Sequence, residues 1–137
     1  MRHALLTAAL ILLALVGTEA AQADPFPIAS LNALDKVTGR VTTLRAPLGE
    51  TQTFGHLEVT VQACDKPPPE DPPEAKAWLE IVEAREGVAP KSLFKGWMFA
   101  SSPGLNALEH PVYDIWVADC VSTESSAAAQ PDGAASE

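Results

Sequence analysis

Cysteine is nearly absent from this 137-residue chain, which has only Cys64 and Cys120. Two thiols cannot build a four-thiolate zinc site, and their wide separation gives no CxxC motif. Neither has a basic or histidine residue directly beside it to favour the thiolate, so a catalytic or metal-binding thiol is disfavoured. Basic residues are also few: nine Lys and Arg stand against eighteen Asp and Glu, for a formal net charge of −9. Such acidity repels phosphate backbones and anionic lipid, which argues against nucleic acid or a membrane surface as partner. The longest largely apolar run, Ala4 to Val16, is thirteen residues. A bilayer-spanning helix needs roughly 20, so the chain is not expected to be an integral membrane protein.

That run has another reading. A basic start (Arg2, His3), the apolar stretch and the small-residue motif Ala21-Gln22-Ala23 together form the pattern of a secretory signal peptide over residues 1–23. Cleavage after Ala23 would place the mature chain, beginning at Asp24, in the periplasm or outside the cell. There two thiols pair by default. A Cys64–Cys120 bridge would restrict the unfolded chain by about 4 kcal/mol on a chain-entropy basis. Residues 24–137 are enough for one domain.

Along the chain, Asp24 to Asn32 reads as an extended lead-in with two prolines. Ala33–Val37 and Arg40–Leu44 suggest a hairpin with Thr38-Gly39 as its two-residue turn. Leu57 to Ala63 is the clearest strand, with Leu57, Val59, Val61 and Ala63 on one face and Glu58, Thr60 and Gln62 on the other. Lys66 to Glu74 holds five prolines in nine residues, and reads as a stiff polyproline loop. Lys76 to Ala84 suits helix or strand, with strand preferred. Leu93 to Ala100 has apolar groups on both faces and is expected to be a central strand. Ser102-Pro103 predicts the start of a short helix, Ser as cap and Pro at the first position, with Leu105 and Leu108 facing the core. Val112 to Val121 is the last strand, and residues 122–137 read as a disordered acidic tail. The expected fold is all-β, a small sandwich or barrel-like domain over 33–121 with one short helical insert and one disulfide.

The stretch Leu93–Cys120 concentrates the aromatic residues: two of three Trp, two of four Phe and the only Tyr. Large aromatic side chains dominate both cores and interfaces. Ser101 or Ser102, His110 and Asp114 are the residue types of a nucleophilic triad, but no GxSxG elbow accompanies them. His56 and His110 lack partners at metal-ligand spacing, and the prolines around Glu70, Asp71 and Glu74 oppose closure around calcium. Glu80, Glu83, Glu86, Asp114 and Asp119 could supply paired carboxylates for glycoside hydrolysis, though so small a domain leaves little room for a cleft. A binding surface is the better candidate. Trp97, Tyr113 and Trp116 lie near the segment carrying Ser101, Asn106, Glu109, His110 and Asp114, and exposed aromatics anchor partners.

The segments LDKVTGRVTTL, FGHLEVTVQAC and GWMFASSPGLNALEHPVYDIWVADC resemble DUF2155, a family of exported bacterial proteins seen mainly in alphaproteobacteria. The resemblance covers most of the expected folded region. It implies export and pairing of the two motif cysteines, with no cofactor. The family has no assigned activity, so no site residue carries over. The resulting expectation is an exported, non-enzymatic binding or assembly domain of the cell envelope that engages a protein partner. The alternative is a hydrolase or binder of envelope glycan.

Overall fold

A computed structural model describes residues 26–124. The expected signal peptide and all but the first three residues of the expected tail lie outside the described residues. Seven strands follow one another: β1 (Ile28–Asp35), β2 (Arg40–Pro47), β3 (Thr51–Phe54), β4 (Leu57–Asp65), β5 (Lys76–Glu83), β6 (Lys91–Phe99) and β7 (Tyr113–Val121). They form two antiparallel sheets, ordered β2-β1-β7 and β3-β4-β5-β6.

Period-2 alternation builds the core. Leu57, Val59 and Val61 of β4 and Ala77, Leu79 and Ile81 of β5 are fully buried, as are Ala29, Leu31 and Ala33 of β1; Ile115 and Val117 of β7 join them. Fully burying each Leu, Ile or Val contributes roughly 1.5–3 kcal/mol. The expected strand in this segment is therefore present as β5, with Ala77, Leu79 and Ile81 facing inward at every second position.

Two bulges aim the cysteines. Had β4 kept its alternation, Ala63 would face the core and Cys64 solvent. Its register with β5 instead shifts between Val61 and Ala63, leaving Gln62 unpaired. The phase reverses, so Ala63 turns outward and Cys64 is buried, 4% exposed. In β7, Val117 opposes Leu31 and Asp119 opposes Ser30, so Ala118 is the extra residue. Cys120 is turned inward in the same way. Each bulge sits two residues before its cysteine, and the Cys64–Cys120 disulfide joins the two sheets with a Cα–Cα distance of 5.7 Å.

The other ends of β4 and β7 meet as well. Gly55, in the turn before β4, has φ +59°, and a Cβ there would overlap the ring of Tyr113, the first residue of β7. Tyr113 in turn packs edge-on against Phe54, ring centroids 5.4 Å apart. Strands β4 and β7, one from each sheet, thus run in the same direction and are held together at both ends.

Four expectations need correction. The first strand begins at Ile28, inside the expected lead-in, and is the central strand of its sheet. Its hairpin to β2 closes through residues 36–39 rather than two residues. Asp35 Oδ1 accepts from the N–H groups of Val37 (2.8 Å) and Thr38 (3.2 Å), which starts the turn early, and Gly39 completes it at φ +71°. Strand β6 is an edge strand, not a central one. Its second apolar face arises because Trp97 lies opposite Trp78 on the outer side of the sheet. The helical insert is absent: after a single turn closed by Leu105 N–H to Ser102 O (3.0 Å), the chain is irregular up to β7. Leu105 is 72% exposed, while Leu108 is buried as expected. Gly104 and Asn106 are weak helix formers, and side chains from elsewhere in the fold hold this segment in place of helical hydrogen bonds.

Candidate functional site

The segment 100–112 crosses from β6 in one sheet to β7 in the other, and four attachments shape it. Near its start, Ser101 donates its N–H to Glu74 Oε1 (3.2 Å) and its hydroxyl to Oε2 of the same carboxylate. These two bonds hold the Glu74 carboxyl below its usual pKa, the Ser101 hydroxyl being the larger cause and the backbone N–H the next. Further along, Asn106 Nδ2 donates to the Trp97 carbonyl (2.8 Å), capping the β6 edge. Gly96 leaves room for this, since a Cβ there would stand 3.3 Å from Asn106 Nδ2. Leu108 then enters the core.

His110 is the fourth attachment. Its side chain is 4% exposed, and Nδ1 accepts from the N–H groups of Val112 and Tyr113, both at 3.1 Å. The ring hydrogen therefore sits on Nε2, which faces Glu83 Oε1 at 3.6 Å. Glu83 is held below its usual pKa chiefly by a hydrogen bond from Arg85. The imidazole stacks on Tyr113 (5.3 Å, 18°), and the His110 carbonyl accepts from Lys36 Nζ at 2.8 Å. These contacts fix where β7 begins, and so which of its residues face outward.

Before the bulge, the outward residues of β7 are Asp114 and Trp116. Across the sheet, Leu34 stands between Val41 and Asp114, and Asn32 between Thr43 and Trp116. Between this outer face and the crossing segment lies a groove of about 290 Å³, lined by Leu34, Asp114, Ile115 and Trp116 on one side and Pro103, Gly104 and Ala107 on the other. Asp114 is its only ionisable residue, and its carboxylate makes no hydrogen bond or ion pair among the described residues. Exposed apolar groups lie close in structure or sequence: Val41 is 54% exposed and Leu105, next to Gly104, 72%.

Of the eight residues proposed from sequence as a binding surface, the groove brings together Asp114 and Trp116. Ser101, Asn106 and His110 instead position the segment, Tyr113 is half-buried against Phe54 and His110, and Glu109 is exposed without lining the groove. Trp97 belongs to the outer face of the other sheet, with Lys76 Nζ 5.3 Å from its ring centroid. Leu34, Pro103, Gly104, Ala107 and Ile115 were not singled out from sequence. Leu34 joins the groove through strand register, a relation between residues 80 apart in the chain that local pattern does not carry.

Several of the reactive residue types are committed elsewhere, Asp114 being an exception. Glu74 takes the Ser101 hydroxyl and backbone amides take His110 Nδ1, so the two are not arranged as nucleophile and base. Glu80, Glu83 and Asp119 pair with Lys95 (3.0 Å), Arg85 and Lys66 (2.8 Å). Among the described residues no group of three His, Cys, Asp or Glu is placed to hold a metal, and no helix is long and apolar enough to cross a membrane.

The family described as "uncharacterized protein conserved in bacteria" (DUF2155) matches residues 29–120, more than half of the chain. The chain belongs to the DUF2155 family. A relative, "Uncharacterized protein RP359" of Rickettsia prowazekii (strain Madrid E), is 32% identical over 88 residues, covering 64% of this chain and 57% of the relative. The DUF2155 chain thus spans little more than half the length of that protein. No solved structure matches it. The matched range runs from the first buried residue of β1 to Cys120, so it contains both sheets, the disulfide and the groove.

The Glu74 anchor gives a pH prediction. Because its pKa is lowered on folding, its contribution is present above the ordinary glutamate pKa and lost as pH falls through the folded value. The Ser101 amide resonance is expected to titrate with a midpoint below that of a free glutamate, and Glu74→Gln to abolish that titration. A Ser101 midpoint at or above the free value would contradict the anchor.

Proposed function

We propose that this DUF2155 domain is an exported, non-enzymatic binding module of the bacterial cell envelope, engaging a protein partner through the groove beside Trp116. The observation that carries the reading is the groove itself: largely apolar walls from two sheet strands and a side-chain-anchored segment, with one carboxylate left unpaired. Apolar pockets with a few polar groups are the usual form of a recognition site. The groove's half-buried tryptophan is the residue type that most often anchors an interface. The Ala21-Gln22-Ala23 motif and the disulfide are consistent with work outside the cytoplasm.

A photoreactive amino acid placed at Ala107 in the native host tests this. It is expected to form a discrete adduct with one envelope protein, while the same group at Glu58, on the outer face of the other sheet, forms none. N-terminal sequencing of the recovered protein should begin at Asp24. Equal adducts from both positions, or none at Ala107, would refute the groove as the contact; an intact N-terminus would refute export by cleavage.

Glycan binding has one observation in its favour. Trp78 and Trp97 lie opposite each other in β5 and β6, in one cross-strand row with Ala63, a flat apolar strip of the kind sugar rings stack on. Lys95 and Lys76 already stand over the two rings, at 5.4 and 5.3 Å from the centroids. A sugar would have to displace both ammonium groups, which ranks this reading second.

A further inference from the structure

We infer that the groove is built for a cationic side chain: its occupant is a partner segment that places a lysine or arginine, flanked by apolar residues, between Asp114 and Trp116. The inference rests on the protein-binding reading above and names the chemistry of the partner.

Charge and geometry carry it. Asp114 lies on the outer face of β7, half-buried, with Leu34 directly across the strand pair and Trp116 two residues along on the same face. Carboxylates elsewhere on the sheets are either paired, as Asp65 with Lys76, Asp119 with Lys66, Glu80 with Lys95, Glu83 with Arg85 and Glu74 with Ser101, or, as Glu58, exposed to water. The Asp114 carboxylate has no such partner among the described residues, and no cation lines the groove. A carboxylate flanked by Leu34 and Trp116 is partly shielded from water, so its field is felt more strongly there than at an open surface. Trp116 adds a second attraction, since the face of an indole draws an ammonium or guanidinium. The other sheet already uses that chemistry on its outer face, where Lys76 and Lys95 sit over Trp97 and Trp78. The net charge of −9 steers the same class of partner, drawing basic segments and repelling acidic ones before contact. The apolar walls suit the methylene stem of the same side chain, which long basic residues bury while their charged head stays polar. Exposed Val41, in the row of Leu34 and Asp114, offers a landing for a flanking apolar residue.

Three capped tripeptides test this on the mature chain: leucyl-arginyl-leucine, its glutamyl counterpart, and its neutral norleucyl counterpart. The readout is the amide and indole resonances of Leu34, Ala107, Asp114 and Trp116. The arginyl peptide is expected to shift these four with an affinity roughly fivefold above the norleucyl peptide, and Asp114→Asn to erase that difference. The glutamyl peptide should leave them unmoved. If the norleucyl peptide binds as well as the arginyl one, or Asp114→Asn changes nothing, the cation inference fails while the groove remains a protein-binding site. If none of the peptides moves these resonances while others shift elsewhere, the groove reading fails with it. Shifts that depend on protein concentration alone would assign the groove to a second copy, and shifts on deleting residues 125–137 to this chain's own C-terminus; either overturns the proposal.

Discussion

Gly55→Ala is expected to lower the unfolding free energy by about 3 kcal/mol, a large share of what a domain of this size has. Two costs combine. At φ +59° a side chain is disfavoured by roughly 1–2 kcal/mol on backbone grounds. The added methyl would also overlap the Tyr113 ring, and overpacking of this kind typically costs about 1–3 kcal/mol. Gly39→Ala separates the two terms, because Gly39 has φ +71° but nothing within 4 Å of its absent Cβ. Urea unfolding should show the Gly39 variant losing only the backbone part. Equal losses at both positions would mean that Tyr113 yields freely, and that the turn before β4 does not hold β7.

Removing the disulfide is the second large effect. The double variant Cys64→Ala, Cys120→Ala is expected to lose about 4 kcal/mol, since the bridge closes a long loop and most of its effect lies in restricting the unfolded chain. For a domain near 100 residues that corresponds to a fall in Tm of roughly 20 °C. The wild-type protein should show no titratable thiol when unfolded without reductant. Because the cysteines are at the far end of β4 and β7 from Gly55 and Tyr113, the Gly55 and cysteine losses should add to within about 0.5 kcal/mol. A loss under 1 kcal/mol on removing both cysteines would mean that the sheets stay matched without the bridge.

How far these features could be read from sequence depends on whether their cause is local. The alternation of Leu57, Val59 and Val61 is local, and so was legible; the all-β class followed from it and from similar runs. Cysteine pairing was legible from number and expected compartment alone. The bulges at Gln62 and Ala118 were not, because an extra residue in a ladder is defined by its partner strand. A strict period-2 reading therefore put Ala63, not Cys64, on the inner face. The start of β1 was hidden by its own composition, since Ala29, Ser30 and Asn32 carry little strand preference and are ordered by neighbours on both sides, whereas its end from Ala33 was expected. The helix expected at Ser102 failed for a related reason: contacts to Glu74, 27 residues away, and to the Trp97 carbonyl of the β6 edge hold the segment in an irregular path. Asp114 and Trp116 stood out in the aromatic-rich stretch, but their meeting with Leu34 and Ala107 needed the register of the finished sheet.

Hydrogen–deuterium exchange on the protein, alone and in the complex recovered by crosslinking at Ala107, addresses most directly where a partner sits. Slowed exchange confined to 103–107, the Leu34 region of β1 and 113–116 is the predicted result. Slowing centred on Trp78 and Trp97, with the groove unchanged, would contradict it and move the binding face to the other sheet.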